Sequence, residues 1–289
     1  MSNRFTTRRD FFKHGAAVAA GLAVSPAAGR LAALEKTAKG GIRAPFELGL
    51  ASITFQEFNL DAVITMARRV GLARISLKEF HLPLTSTEAE IAAAVRKVRE
   101  GGLVPYGCGV IYMTTPAEVE RAFAYAKAGG MEVIIGAPNH ELLPLAEKKV
   151  KETGIKLAIH NHGPGDALFP TPAVAYEQVK GMDPRLGLCL DIGHSERAGV
   201  DPSAAAEAFA SRILDVHLKD VSAASKDGGF VEIGRGVIDI PKFLRTLVKL
   251  NYRGTASFEY EKDAKDPLAG LAESVGYVKG VLATLPGRP

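Results

Sequence analysis

The sequence predicts an α/β fold: a closed (β/α)8 TIM barrel, a single domain behind an N-terminal export signal. Three observations carry this expectation. From about residue 46, eight short and nearly continuous apolar runs follow one another at a spacing of roughly 25–30 residues. Helical patterns with recognisable starts and stops lie between them. The runs have the composition of parallel strands covered on both faces, which suits a barrel wrapped in helices. An open doubly wound sheet is the competing arrangement. It would usually carry a Gly-rich phosphate turn after its first strand, and ASITFQEF has none.

With 289 residues, 47% of them hydrophobic, the chain can bury a large core. Residues 1–33 stand apart from it. TTRRDFFKHG is followed by AAVAAGLAVSPAAG, giving a twin arginine, a short apolar run and then small residues. That is the order of a bacterial twin-arginine export signal. The run of about 14 apolar and small residues falls short of the ~20 that a membrane helix needs. Cleavage is expected between Ala27 and Ala33, with the mature protein periplasmic or extracellular and not stably inserted in a membrane. Residues 34–45, LEKTAKGGIRAP, read as a polar linker, and residues 46–289 as the barrel.

The eight expected strands are FELGLASITF (46–55), ARISLKEF (73–80), LVPYGCGVI (103–111), MEVIIGA (131–137), IKLAIH (155–160), RLGLCLDI (185–192), RILDVHLK (212–219) and GTASFEYE (254–261). Between the first two, Leu60, Val63, Ile64, Ala67 and Val70 share one helical face, and Gly71 follows as a stop. Thr87 and Glu90 form a capping box, as do Thr115 and Glu118 with Pro116 at the first helical position. Thr171-Pro172, Asp201-Pro202 and Asp266-Pro267 repeat the cap-plus-proline signal. The two cysteines, Cys108 and Cys189, lie in different runs and read as small buried hydrophobes.

Charge excludes one class of partner. The chain has 36 Lys and Arg against 32 Asp and Glu. Arg4, Arg8, Arg9, Lys13, Arg30 and Asp10 fall within residues 1–33, which leaves 31 of each sign beyond the signal. A neutral barrel has no electrostatic footprint for nucleic acid. A small molecule is the expected partner, and self-association into a homo-oligomer is left open.

A TIM barrel places its chemistry at the C-terminal ends of its strands, and here the last four strand ends carry ionisable residues. The fifth closes as LAIHNHGPGD, with His160 and His162 two residues apart. The sixth ends on Asp191, with His194 three residues on. The seventh puts His217 and Lys219 on one face by period-two alternation. The eighth delivers Glu259, with Glu261 at the same parity. Four successive strands thus end in His, Asp, His and Glu. Buried ionisable groups cost several kcal/mol each unless something pairs them, and one divalent cation at the barrel mouth would pair all four. Weaker signals surround them: Lys78, Glu79 and His81 close the second strand and are within reach of a substrate. Lys219 could hold a developing enolate oxygen. Arg235 sits in a Gly-flanked loop suited to a phosphate, though an ordinary loop arginine fits it as well.

These motifs, LAIHNHG, DIGH (191–194), HLKD (217–220) and FEYE (258–261), resemble the xylose isomerase-like barrels of sugar isomerases and epimerases, a superfamily that includes inosose dehydratases and endonuclease IV. The resemblance spans residues 46 to about 283. It implies that Asp191, His217 and Glu259 hold a divalent metal and that His194 touches substrate. The fourth ligand departs from the pattern, since His160 stands where the ketose 3-epimerases have glutamate. Two histidines and two carboxylates suit Mn, Zn, Co or Fe(II), with Mn or Zn favoured.

The expected function is a metal-dependent isomerase or epimerase acting on a non-phosphorylated keto-sugar or polyol by proton abstraction next to a carbonyl. Glu259 or His162 would be the base, Lys219 the oxyanion holder, and His194, Glu79, His81 and Arg235 the substrate contacts. Because His160 breaks the symmetric pair of glutamates, a lyase or dehydratase acting on a 3-oxo-sugar or 3-oxo-glycoside is the alternative. A non-catalytic sugar-binding barrel and an endonuclease IV-like enzyme rank behind both.

Overall fold

The structure, a computed structural model, describes residues 44–285. The twin-arginine segment and nearly all of the linker lie outside the described residues. Eight strands form the barrel: β1 (Glu47–Ala51), β2 (Arg74–Leu77), β3 (Val104–Met113), β4 (Val133–Pro138), β5 (Lys156–His160), β6 (Leu186–Asp191), β7 (Ile213–Leu218) and β8 (Thr255–Phe258). Each pairs in parallel with its sequence neighbours, and β8 closes on β1 through Glu47↔Thr255 to Leu50↔Phe258. A two-residue ribbon, Asp220–Val221 against Phe230–Val231, lies outside the barrel sheet.

Among the described residues nine α-helices follow the strands: α1 (Leu60–Arg69), α2 (Glu88–Glu100), α3 (Pro116–Gly129), α4 (Leu143–Thr153), α5 (Pro172–Val179), α6 (Ile192–Arg197), α7 (Pro202–Ala208), α8 (Ile240–Lys249) and α9 (Pro267–Thr284). Their starts follow local chemistry. Thr87 and Thr115 form complete capping boxes with Glu90 and Glu118. Thr171 and Asp201 cap α5 and α7 through their side chains. Asp266 precedes Pro267 as expected but makes no side-chain cap bond. Gly71 ends the first helical stretch with φ +74°, a left-handed backbone that favours glycine. Among the described residues, no helix is long and apolar enough to cross a membrane.

Several strands are shorter than their apolar runs. β1 stops at Ala51 because the chain turns into a 3-10 segment, Ser52–Phe55. Two hydroxyls there serve other strands: Ser52 Oγ accepts from Lys78 N at 2.8 Å and Thr54 Oγ1 from Tyr260 N at 3.0 Å. Residues of both the barrel interior and the helix-facing side are buried, so the strands read as continuous apolar runs rather than alternating ones.

Candidate metal centre

Parallel register builds the centre. Asp191 is level with His217 across β6 and β7, and His217 is level with Ser257 across β7 and β8. Glu259 lies two residues beyond Ser257, hence on the same inward face. His160 is level with Cys189, two residues before Asp191. His160 thus stands a step below and Glu259 a step above the Asp191–His217 level, and the tilt of barrel strands lets all four side chains meet at the mouth. His160, Asp191, His217 and Glu259 each offer a ligand atom, and these atoms all lie within 4.8 Å of one another.

The short edges of this cluster are 3.1 Å from His217 Nδ1 to Glu259 Oε2, 3.4 Å from His160 Nε2 to Asp191 Oδ2, and 3.8 Å from His217 Nδ1 to Asp191 Oδ2. Asp191 is braced from behind. Asn161 Oδ1 accepts from its backbone N–H, Asn161 Nδ2 and Ser195 Oγ donate to its carbonyl, and its own Oδ1 accepts from His194 N at 2.7 Å. Its other oxygen, Oδ2, is buried without a hydrogen-bond partner, as are both ring nitrogens of His160 and Nε2 of His217. Buried polar atoms are normally satisfied, and Asp191 Oδ2 and His160 Nε2, orphans 3.4 Å apart inside the cluster, fit a bound divalent cation.

Electrostatics agree with that fit. Burial pushes His160 down to about 4, so at neutral pH its ring is uncharged with a lone pair to give. Burial opposes ionisation of Asp191, but the Lys219 ammonium 3.5 Å from Oδ2 prevails and holds the carboxyl well below its usual range. Glu259 is likewise disfavoured by burial yet held well below the carboxylate range by His217, Lys219 and Lys78. Lys219 Nζ sits 2.8 Å from Glu259 Oε2 and also contacts Glu261, while Lys78 Nζ is 3.6 Å from Glu259 Oε1. A second group, Cys189, Asp215 and His217, also brings ligand atoms together. Burial pushes the Cys189 thiol far up and the Asp215 carboxyl up to about 7, so both resist the deprotonation that ligation requires.

The remaining sequence-predicted residues divide. His194 is buried beside Lys219, with its Nε2 3.5 Å from Nζ, and burial pushes it down to about 3. His162 lies past the end of β5 and its side chain is 46% exposed, so it belongs to the mouth and not to a buried strand. Its Nδ1 faces Tyr112 Oη at 3.4 Å and Asp166 Oδ2 at 3.5 Å. Glu79 is exposed and lines a cavity of about 330 Å3 with Tyr112, Arg121 and Tyr125. His81 is tied to Ser52 Oγ and to the carbonyls of Phe55 and Phe58, a loop-holding arrangement outside the cluster. Arg235 makes a bidentate pair with Glu273 on the exposed surface.

Sequence reasoning did not single out Asn161, Asp166 or Phe230. Phe230 packs its ring over Lys219 at 4.5 Å and edge-on to His194. The loop that carries it is gathered by Asp220, whose carboxylate accepts from the backbone N–H of Val221, Gly234, Gly236 and Ile238. The parity of HLKD sets Asp220 apart from His217 and Lys219, which was a readable sign that it serves the loop.

Comparison with known proteins places this arrangement in context. Residues 139–281, which contain all four cluster residues, match the family of xylose isomerase-like TIM barrels. The chain is 33% identical over 142 residues to the rhizopine catabolism protein MocC of Rhizobium meliloti, covering 44% of this chain and 43% of that protein. It is 31% identical over 141 residues to inosose dehydratase of Bacillus cereus (strain AH820), covering 43% and 45%. The matches thus span less than half the length of these curated relatives. A protein of Parabacteroides distasonis ATCC 8503 shares the fold with a TM-score of 0.65 at 24% identity, over 82% of this chain and 99% of that one. Residues 139–281 thus match the xylose isomerase-like TIM-barrel family, and the closed barrel of the described residues is the fold that family describes.

Proposed function

We propose that this protein is a divalent-metal-dependent enzyme that abstracts a proton next to the carbonyl of a keto-sugar or keto-cyclitol and then expels water. The observation that carries the reading is the asymmetry of the cluster: the β5 position holds a neutral imidazole, so the two carboxylates, Asp191 and Glu259, stand at the end of β6 and just past β8. His160, Asp191, His217 and Glu259 would hold the cation, with Mn or Zn favoured by two imidazoles and two carboxylates. When bound, it supplies Lewis-acid polarisation of the carbonyl.

The chain's own residues do the rest. The Lys78 and Lys219 ammoniums flank the two oxygens of Glu259 and are placed to stabilise a negative oxygen developing beside them. His162 has Nδ1 turned toward Tyr112 and Asp166, which leaves Nε2 to take a proton. Glu259 is the other base within reach. One base working on one face takes the carbon proton as the C–H electrons form the new double bond. It then passes that proton to the departing hydroxyl, so the C–O bond breaks and water leaves. Phe230 over Lys219 shields that side from solvent.

The curated relatives favour elimination, since several are named inosose dehydratases. A second reading, isomerase or epimerase, shares the first step and returns the proton to carbon. The substrate is proposed to be an unphosphorylated small molecule, and the protein to act outside the cytoplasm. The test is to incubate metal-reconstituted protein with inososes, 3-oxo-glycosides and ketoses in D2O and follow each by NMR. Water loss that stops in Glu259→Gln or after chelation is expected. Exchange with stereochemical inversion and no water loss would select the second reading, and no turnover or exchange with any of them would refute both.

A further inference from the structure

Strand β7 carries one more inward carboxylate that the proposed chemistry does not use. By period-two alternation Asp215, His217 and Lys219 stack inside the barrel, and Asp215 is fully buried one layer below the cluster. Building on the metal reading above, we propose that Asp215 is a positioning residue: it receives the Nε2–H of His217 and so keeps the Nδ1 lone pair aimed at the cation.

The geometry of His217 supports this. Its ring stands between two layers of carboxylates. Nδ1 lies 3.1 Å from Glu259 Oε2 and 3.8 Å from Asp191 Oδ2, so it is the nitrogen that faces the other ligands. A neutral imidazole that ligates through Nδ1 must carry its proton on Nε2. His217 Nε2 has no hydrogen-bond partner, and the carboxylate in front of it is Asp215, with Oδ1 at 4.0 Å. That distance is not yet a hydrogen bond, and a movement of about 1 Å would close it. Asp215 Oδ2 is itself an orphan, Cys189 Sγ donates only weakly to Oδ1 at 3.8 Å, and the buried Tyr106 hydroxyl is the other neutral group that acts on this carboxylate. Two unsatisfied buried groups of opposite hydrogen-bonding character therefore face each other, and the second partner of a ligating histidine commonly sets its tautomer and orientation.

The experiment uses the purified chain, stripped of metal and titrated with Co(II) in competition with a chelator. The Asp215→Ala variant should bind Co(II) about 10–100-fold more weakly than wild type. Asp215→Asn should lose less, because its amide oxygen still accepts. Unchanged affinity in both variants would overturn the role of Asp215 while leaving the metal reading intact. A wild-type chain that binds no cation would instead refute the metal reading on which this inference rests. Two cobalt ions per chain with a thiolate-to-cobalt absorption would make Asp215 a ligand beside Cys189, which also overturns the positioning role. If the variants fail to fold, zinc-loaded wild type labelled with 15N-histidine decides: His217 must show a protonated Nε2 and a metal-bound Nδ1, and the reverse assignment refutes the proposal.

Discussion

Lys219→Met is the perturbation that tests the electrostatic logic of the centre most directly. Lys219 is 2% exposed, and its ammonium contacts Glu259, Asp191 and Glu261. Methionine fills similar space and can follow the same path over Phe230, so the main change is loss of charge. Removing one partner of a buried ion pair costs about 3–5 kcal/mol, because the other is left uncompensated. For a domain of this size that corresponds to a fall in Tm of about 6–20 °C. The loss should be confined to pH values where the carboxylates ionise. In wild type, Asp191 and Glu259 are held below their ordinary range. Their stabilising contribution is present above the unfolded pKa and lost on acidification through the folded one. Without Lys219 that contribution shrinks, so the gap between variant and wild type should narrow as pH falls below about 4.

The assay is thermal unfolding in a chelator, repeated with excess Zn or Mn. A cation bound at 100 times its Kd adds about 2.7 kcal/mol to the folded state. It should rescue the variant more than wild type, because it restores positive charge where the lysine was removed. A chelated variant as stable as wild type at pH 7, or one that gains less from metal, would refute this account.

Three further outcomes are expected. Asp220→Ala removes the acceptor of four backbone N–H groups and should cost about 1–3 kcal/mol, with faster amide exchange at Gly234, Gly236 and Ile238; unchanged exchange there would contradict the loop-anchoring role. His160 titrates at about 4 against an unfolded value of 6.5, so the unfolded chain takes the proton first. Stability should therefore fall by about 3 kcal/mol between pH 6.5 and 4, and urea unfolding in a chelator should show that slope reduced in His160→Asn. Finally, replacing Arg8 and Arg9 with lysine should trap the precursor in the cytoplasm; fractionation that finds it still exported would show that the N-terminus is read by another route.

The barrel was legible because each strand is buried on both faces, so that runs such as MEVIIGA and RLGLCLD stand out from the amphipathic helices between them. The convergence of His160, Asp191, His217 and Glu259 was legible for a different reason: period two fixes which residues at a strand end point inward. That rule fails where the strand does. β2 ends at Leu77, so parity said nothing secure about Lys78, Glu79 and His81. The structure turns Lys78 toward Glu259 and leaves Glu79 at an exposed cavity. β5 ends at His160, so His162 escapes the strand and joins the mouth. Asn161 was invisible because its task, a paired hydrogen bond to the backbone of Asp191, depends on a cross-strand contact 30 residues away.

The histidine at the end of β5 has a consequence beyond the loss of a second base. Without a cation, the carboxylates Asp191, Glu259 and Glu261 face the ammoniums of Lys78 and Lys219 and an imidazolium at His217, which its neighbouring carboxylates favour. Three negative charges meet three positive ones, and His160 stays neutral. On the proposed reading, His217 would give up its proton to hold a divalent cation, and the centre would then carry one positive charge in excess. Glutamate at position 160 would cancel that excess. Proton abstraction beside a carbonyl places one negative charge on the substrate oxygen, in a site where fixed charges act through a low dielectric. Histidine at this position thus gives up a base on one face of the substrate and leaves an unmatched positive charge for the enolate. His160→Glu should accordingly bind the cation more tightly, since it adds an anionic ligand, and yet slow the exchange of the carbon proton; a variant that exchanged faster than wild type would show that the charge balance of the centre does not govern that step.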